Sequence, residues 1–287
     1  MQEKIHHEEY WISGSIRDTQ FEDLYTIGTE LGRGTSAVVY RCEHVGTKKA
    51  YAVKKIPKQK NRKVVPADVG NLLHIRHPNV IHITELYETK THIYLMMELV
   101  TGGELFDRIV ARGSFSEKDA AEAMRDILRA LKCMHDNGVV HFDVKPENLL
   151  YESNKDHSKL KLADFALHRI IAGDVRSNSV CESPGYVHVS DIVVRYVPDF
   201  ITRLLQKDPR KRLSVDAALR HPWVIGTAAK GDHLIETQEK IREFNARRRL
   251  KAAVGGVLFA SKAARMMSNM RASVTIQVDN NQISTDA

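Results

Sequence analysis

The sequence predicts an α+β protein of two lobes, β-rich at the N-terminal end and helical beyond it, followed by a charged helix. Three observations carry this reading. Residues 23–57 alternate apolar and polar side chains, are rich in β-branched residues and are broken by Gly32, Gly34 and Gly46, the mark of successive strands. Met124, Ile127, Leu128 and Leu131 recur at helical spacing between a Ser116/Asp119 capping-box signal and Gly138, which ends the helix. From residue 229 a charged helical pattern runs into a basic segment.

The remaining elements follow in order. Residues 1–22 are polar with isolated aromatics (Tyr10, Trp11) and read as an extension. Residues 66–76 are a short helical candidate, with Pro66 suited to a first turn and Val69, Leu72 and Leu73 on one side. Residues 80–86 and 93–100 read as two further strands, and 199–206 and 214–220 as helices. Residues 272–287 are polar and read as disordered. No internal repeat is present.

A chain of 287 residues, 43% hydrophobic and 28% charged, has the composition of a soluble globular protein with a sizeable core. No apolar run reaches membrane-spanning length. The start, MQEKIHHEEYW, lacks the basic-then-apolar order of a secretory signal. Cys42, Cys133 and Cys181 lie far apart without metal-ligand spacing, which suits a reducing compartment. The net charge of +7 is uneven: residues 240–271 hold nine Lys or Arg against the single acid Glu243. Such a segment suits an acidic protein, a nucleic acid or an anionic membrane.

Chemistry is densest in HFDVKPEN at 141–148 and DFA at 164–166. Phosphoryl transfer needs a carboxylate to receive a hydroxyl proton and two oxygen donors to hold magnesium under the nucleotide. Asp143, Asn148 and Asp164 supply these, and Lys145 adds a cation two residues after the base. Upstream, LGRGTSAVVY at 31–40 lies between strand-like runs, where Gly32 and Gly34 let backbone amides approach phosphates. Ala37 stands where a third glycine is common, and Val39 follows. Glycines between strands are more often simple turns, and a lone strand lysine is usually a solvated face. Lys54 in YAVK gains meaning from following the glycines at the right distance. Asp68 is the acid best placed to pair with Lys54, although it also reads as a first-turn acid facing a helix dipole.

These motifs resemble those of protein kinases. YWISGSIRD (11–19), LGRGTSAVVYRC (31–42), ELVTGGELFDRIV (98–110) and EFNARRRLKAAV (243–254) resemble the calcium/calmodulin-dependent protein kinase family, most like its type IV branch. The resemblance covers about residues 10–260 and implies ATP and Mg2+ as cofactors and Ser/Thr of proteins as substrate. It places Asp143 and Lys145 in catalysis. It assigns nucleotide binding to Gly32, Gly34, Val39, Ala52, Lys54, Asp68, Asn148 and Asp164, with Met97 behind the adenine pocket and Glu98 to Val100 as the hinge that receives adenine. Asn148 and Asp164 are the metal ligands. Glu104 and Glu147 match acids that receive a basic residue upstream of the phosphoacceptor, and Ser179 matches the site of an upstream activating kinase. Arg247, Arg248, Arg249, Leu250, Lys251, Val254 and Phe259 match a segment for calcium-loaded calmodulin. Within that segment 247–251 also reads as a nuclear-targeting run or a solvated face. The implied divisions are an extension (1–22), an N-lobe (23–100), a C-lobe (101–228), an autoinhibitory and calmodulin-binding segment (229–265) and a disordered tail (266–287). A cytoplasmic or nuclear location is expected, without membrane or direct nucleic-acid contact.

The chain also departs from the pattern. Phe142 replaces the Arg before the catalytic Asp, and Ala166 replaces the Gly after Asp164-Phe165. His188, Val189 and Ser190 replace the triplet whose Glu meets an Arg late in the C-lobe, visible here as Arg212. Between Tyr186 and Asp208 lie residues 187–207, a fraction of what the family places there, including its central buried helix. The C-lobe is therefore expected to be truncated after the activation segment, and either to repack or to stay partly unfolded. Two functions remain open: a calmodulin-regulated Ser/Thr kinase of impaired activity, or a catalytically poor kinase-like protein that binds calmodulin and nucleotide.

Overall fold

The structure, a computed structural model, describes residues 12–13, 15–17, 20–34, 37–58, 67–68, 70–164 and 198–250. The chain divides into two units, Met1–Gln238 and Glu239–Ala287.

The first unit begins with a five-stranded antiparallel sheet. Its strands are β2 (Tyr25–Arg33), β3 (Val38–His44), β4 (Ala50–Pro57), β6 (Ile83–Glu88) and β7 (His92–Glu98), in the order β2-β3-β4-β7-β6. Period-two alternation gives the sheet two distinct faces. On one face Val53, Met96, Tyr87 and Tyr94 pack with Phe21 of α1 (Phe21–Leu24) and with Tyr25 and Cys42. Phe21 stacks on Tyr94 at 4.7 Å and on Tyr25 at 5.2 Å between ring centroids. The other face carries the cross-strand row Gly32, Val39 and Lys54, with Ala52 opposite Met97 beside it.

Part of the N-terminal extension is ordered against this sheet. The Ile16 amide donates to the Leu86 carbonyl at 2.8 Å, and the Glu88 amide donates to the Ile16 carbonyl at 3.0 Å. The buried Glu88 carboxylate accepts from the Ile12 amide (3.1 Å), the Ser15 hydroxyl (2.7 Å) and the Lys58 ammonium (2.7 Å). β1 (Ile12–Ser13) pairs in parallel with β5 (Ala67–Asp68).

That pairing corrects the expected helix over 66–76. The helix α2 covers only Gly70–His74, while Ala67 and Asp68 are extended. A parallel partner more than fifty residues away overrides weak local helix preference, because Gly70 is a poor helix former and Val69 is β-branched. Pro66 lies outside the described residues.

Beyond the sheet come α3 (Leu105–Arg112), α4 (Glu117–Asp136) and a small hairpin of β8 (Leu149–Tyr151) with β9 (Leu160–Leu162). The expected capping box is present: Ser116 Oγ accepts from the Asp119 amide at 3.2 Å, and Asp119 Oδ2 accepts from the Ser116 amide at 2.8 Å. Gly138 follows in the left-handed region at φ +71°, where glycine carries no Cβ penalty.

Two short helices pack on α4, α6 (Val215–Leu219) and α7 (Pro222–Ile225), and a third, α5 (Pro198–Leu204), joins the same core through Phe200. Phe200, Ala218, Trp223 and Val224 form a core with Ala121 and Leu128 of α4. The Arg125 guanidinium donates twice to the Val224 carbonyl, at 2.9 and 2.6 Å, and the Lys230 amide donates to the buried Glu117 carboxylate at 3.0 Å. The segment after residue 198 is thus packed on α4. Residues 165–197, which include Ala166, Ser179, Cys181 and His188 to Ser190, lie outside the described residues. In the second unit, residues 239–250 are helical.

Candidate active site

A cavity of about 520 Å³ opens in the first unit, beside the sheet face that carries Val39 and Lys54. Strand register explains its upper wall. Gly32, Val39 and Lys54 are cross-strand partners in one row, and Ala52, two residues before Lys54, shares their face. All four line the cavity, together with Met97, Glu98 and Val100 where β7 runs out. Asn148, Ala163 and Asp164 form its lower wall, and Glu104, Asp107 and Glu147 add three acids. Gly34 is not among the lining residues; its amide donates to the Ala37 carbonyl at 2.9 Å.

The loop beneath is built around His141. Its Nδ1 accepts from the Asp143 amide at 3.2 Å, and its Nε2 lies 2.8 Å from the Ala163 carbonyl. A ring that accepts at one nitrogen and donates at the other is neutral. Burial, the leading cause, lowers the His141 pKa in the same direction. His141 therefore staples the loop to the residue before Asp164. The sequence carries no signal for this role, because both partners of the ring are backbone groups.

Asn148 closes the loop. Its Nδ2 donates to the Asp143 backbone carbonyl at 2.7 Å, and its own backbone carbonyl accepts from the Ala163 amide at 2.7 Å. Asp143 is paired with Lys145 through Oδ2 and Nζ. Lys54 pairs with Asp164 across the cavity. Asp68, expected to be the partner of Lys54, lies on β5, and its side chain is outside the described residues.

Two residues here have left-handed backbone, Phe142 at φ +64° and Asp164 at φ +58°. Asp tolerates that region well, whereas a bulky aromatic does not. Phe142 is also 41% exposed, and its neighbours Val140 and Val144 are exposed too. The loop thus turns three apolar side chains outward.

A magnesium ion fits the oxygen donors present. Turning the Asn148 amide nitrogen towards Asp143 directs its oxygen elsewhere, and the Asp164 carboxylate is 43% exposed at the cavity. Among the described residues no group of three or more His, Cys, Asp or Glu is placed to hold a metal. Two oxygen donors with the rest left to water and phosphate is the usual arrangement for Mg2+.

Of the C-terminal residues singled out in the sequence, Arg247, Arg248, Arg249 and Leu250 lie on the helix of the second unit, with Leu250 exposed. Arg247 pairs with Glu243 at 3.8 Å, and Arg248 donates to Asn245 Oδ1 at 2.7 Å. Lys251, Val254 and Phe259 lie outside the described residues. Among the described residues no helix is long and apolar enough to cross a membrane.

A lysine and an aspartate facing each other across a cavity, above a loop that presents a second aspartate, fit the family that sequence comparison finds. The Protein kinase domain family matches residues 25–192, more than half of the chain, and the chain belongs to that family. Within it the chain belongs with the calcium/calmodulin-dependent protein kinases. It is 39% identical to calcium/calmodulin-dependent protein kinase type IV of Homo sapiens, over 88% of this chain and 65% of that protein. The Mus musculus type IV protein is 38% identical over 97% and 70%, and the Homo sapiens type 1B kinase 34% over 82% and 85%. The chain thus spans about 65% of the human type IV length. That match runs over 309 positions but takes in 88% of 287 residues, about 253, so about 56 positions of the relative have no counterpart here.

Proposed function

We propose that this chain is a calmodulin-regulated Ser/Thr protein kinase by descent that binds ATP with magnesium in the 520 Å³ cavity and transfers phosphate poorly. The observation that carries the nucleotide reading is the convergence of Gly32, Val39, Ala52, Lys54, Met97, Glu98, Val100, Asn148 and Asp164 on one cavity. Lys54 and Gly32 serve the phosphates, and Glu98 to Val100 receive the adenine. Asn148 and Asp164 would hold magnesium, which would neutralise charge on the transferring phosphate. Asp143 orients the substrate hydroxyl and takes its proton. Lys145, now paired with Asp143, turns to the transferred phosphate. Glu104 and Glu147 meet a basic residue upstream of the acceptor in the protein substrate.

Weak transfer follows from positioning, which supplies most of the catalysis in this chemistry. We assign the positions lacking a counterpart to the short stretch between Tyr186 and Asp208, residues 187–207, and on that assignment read the C-lobe within 101–228 as truncated. The outward Val140, Phe142 and Val144 support this, because a catalytic loop seated on a central helix would bury such side chains. They also favour a second reading: a protein that binds nucleotide and calmodulin without turnover. Phe142 carries no charge, so phosphate placed on Ser179 by an upstream kinase gains no guanidinium partner there. Residues 229–265 form the calmodulin-binding segment, with Leu250, Val254 and Phe259 as apolar anchors and Arg247 to Arg249 and Lys251 as basic flanks.

Thermal titration with ATP and magnesium tests the nucleotide half. Magnesium-dependent stabilisation by mass action is expected. A folded sample with no shift at millimolar nucleotide refutes it.

A further inference from the structure

We propose that Lys161 is a positioning residue for the nucleotide cavity and that it acts through Glu98. The Lys161 side chain is 7% exposed on β9, and its Nζ lies 2.9 Å from Glu98 Oε1. That same oxygen accepts the His82 amide at 2.8 Å, while the Glu98 amide donates to the His82 carbonyl at 3.0 Å. The Glu98 carboxylate is thereby folded back onto residue 82. Its backbone continues into Leu99 and Val100, which line the cavity.

The other end of the tie is equally fixed. The Leu162 carbonyl accepts from the Ile81 amide at 3.0 Å, and the Leu162 amide donates to the Asn79 carbonyl at 2.8 Å. Lys161 stands three residues before Asp164. One buried ammonium therefore joins the end of β7 to β9.

Packing alone does not explain a lysine here. Leu160, Lys161 and Leu162 are all buried, and burying an ammonium is costly unless it is paired. An apolar residue would satisfy the strand; only a cation can also hold the Glu98 carboxylate. Lys161 does not itself line the cavity, and Glu98 lies three positions along β7 from Leu95, the cross-strand partner of Lys54.

The inference rests on the reading that adenine sits at Glu98 to Val100, and it separates two ligands. Losing the tie should weaken adenosine and ATP by the same factor, whereas losing Lys54 should weaken ATP alone. The test uses the full chain with Lys161→Met, Lys161→Arg, Glu98→Gln and Lys54→Met. Affinity for magnesium-ATP is measured by calorimetry and for adenosine by competition, with hydrogen exchange at the His82 amide followed by NMR.

For Lys161→Met the expected result is about a tenfold loss for both ligands, the scale of one charged hydrogen bond. The His82 amide should exchange about tenfold faster, and Lys161→Arg should recover part of both effects. Unchanged affinities, or a loss confined to ATP, overturn the proposal. If Lys161→Met does not fold, Glu98→Gln keeps the shape and the His82 acceptor and must show the same paired loss; its absence overturns the proposal. Should the wild-type chain bind neither ligand, the nucleotide reading fails on its own. His82 exchange then decides the tie, and an unchanged rate in a folded variant overturns it.

Discussion

Phe200→Ala probes whether the chain after residue 198 is truly built onto α4. Phe200 is 1% exposed, its ring lies 5.5 Å from Trp223 and 5.0 Å from His221, and its cluster includes Ala121 and Leu128. Removing a buried phenyl ring loses its transfer free energy and leaves a cavity, together about 3–5 kcal/mol. The lost aromatic pairing with Trp223 is a further part, about 0.5–1.5 kcal/mol beyond area. Against a typical stability of about 5–15 kcal/mol this is a large fraction. At about 2–4 °C per kcal/mol for a chain of this size, the midpoint should fall by roughly 6–20 °C. Thermal and urea unfolding followed by tryptophan fluorescence reads the effect directly, because Trp223 is in the affected core. A change below about 1 kcal/mol, with Trp223 emission already solvent-like in the wild type, would refute the core that α5 and α7 form beside α4.

Three further outcomes are expected. Lys54→Met removes a charged donor to phosphate, so magnesium-ATP affinity should fall by about 1.5–3 kcal/mol, roughly 10- to 150-fold by titration calorimetry. His77, His82, His92 and His141 all have pKa values lowered from 6.5, burial first among the causes. The unfolded chain takes up protons near pH 6.5 that the folded rings resist. This contribution to stability is therefore fully present above that pH and lost as pH falls below it; urea unfolding that grows more stable from pH 7 to 5.5 would contradict this. Calcium-loaded calmodulin should bind the 239–265 segment, and Leu250→Ala with Phe259→Ala should weaken it by more than about 100-fold, since each buried anchor contributes roughly 1.5–3 kcal/mol. Calorimetry showing unchanged affinity would remove the two anchors from the account.

What the sequence revealed was local. The strands over 23–57 and the capped helix α4 follow from period two, period 3.6 and a capping box, all read within a few residues. The loop over 141–148 stood out by its spacing, and the structure sets its Asn148 with Asp164 on one cavity. Elements defined by distant partners were not. Residues 67–68 become a strand only because Ile12 and Ser13 lie beside them. The strand expected at 80–86 lies instead at Ile83–Glu88, set by its register with β7. α3 escaped notice although Gly113 ends it at φ +71°, and the three-residue strands β8 and β9 are too short to show a period. The buried carboxylate of Glu88 and the neutral His141 drew no attention because their partners come from far along the chain or from the backbone.

The central claim is that this cavity binds nucleotide while the altered C-lobe limits transfer. The direct measurement is incorporation of labelled phosphate from magnesium-ATP into a peptide with Arg three residues before Ser, at saturating calcium-calmodulin, with Asp143→Asn alongside. Magnesium-dependent stabilisation by ATP is expected in the same sample, with transfer only slightly above that of Asp143→Asn. Turnover in the ordinary kinase range, about 1–100 per second and abolished by Asp143→Asn, would contradict it.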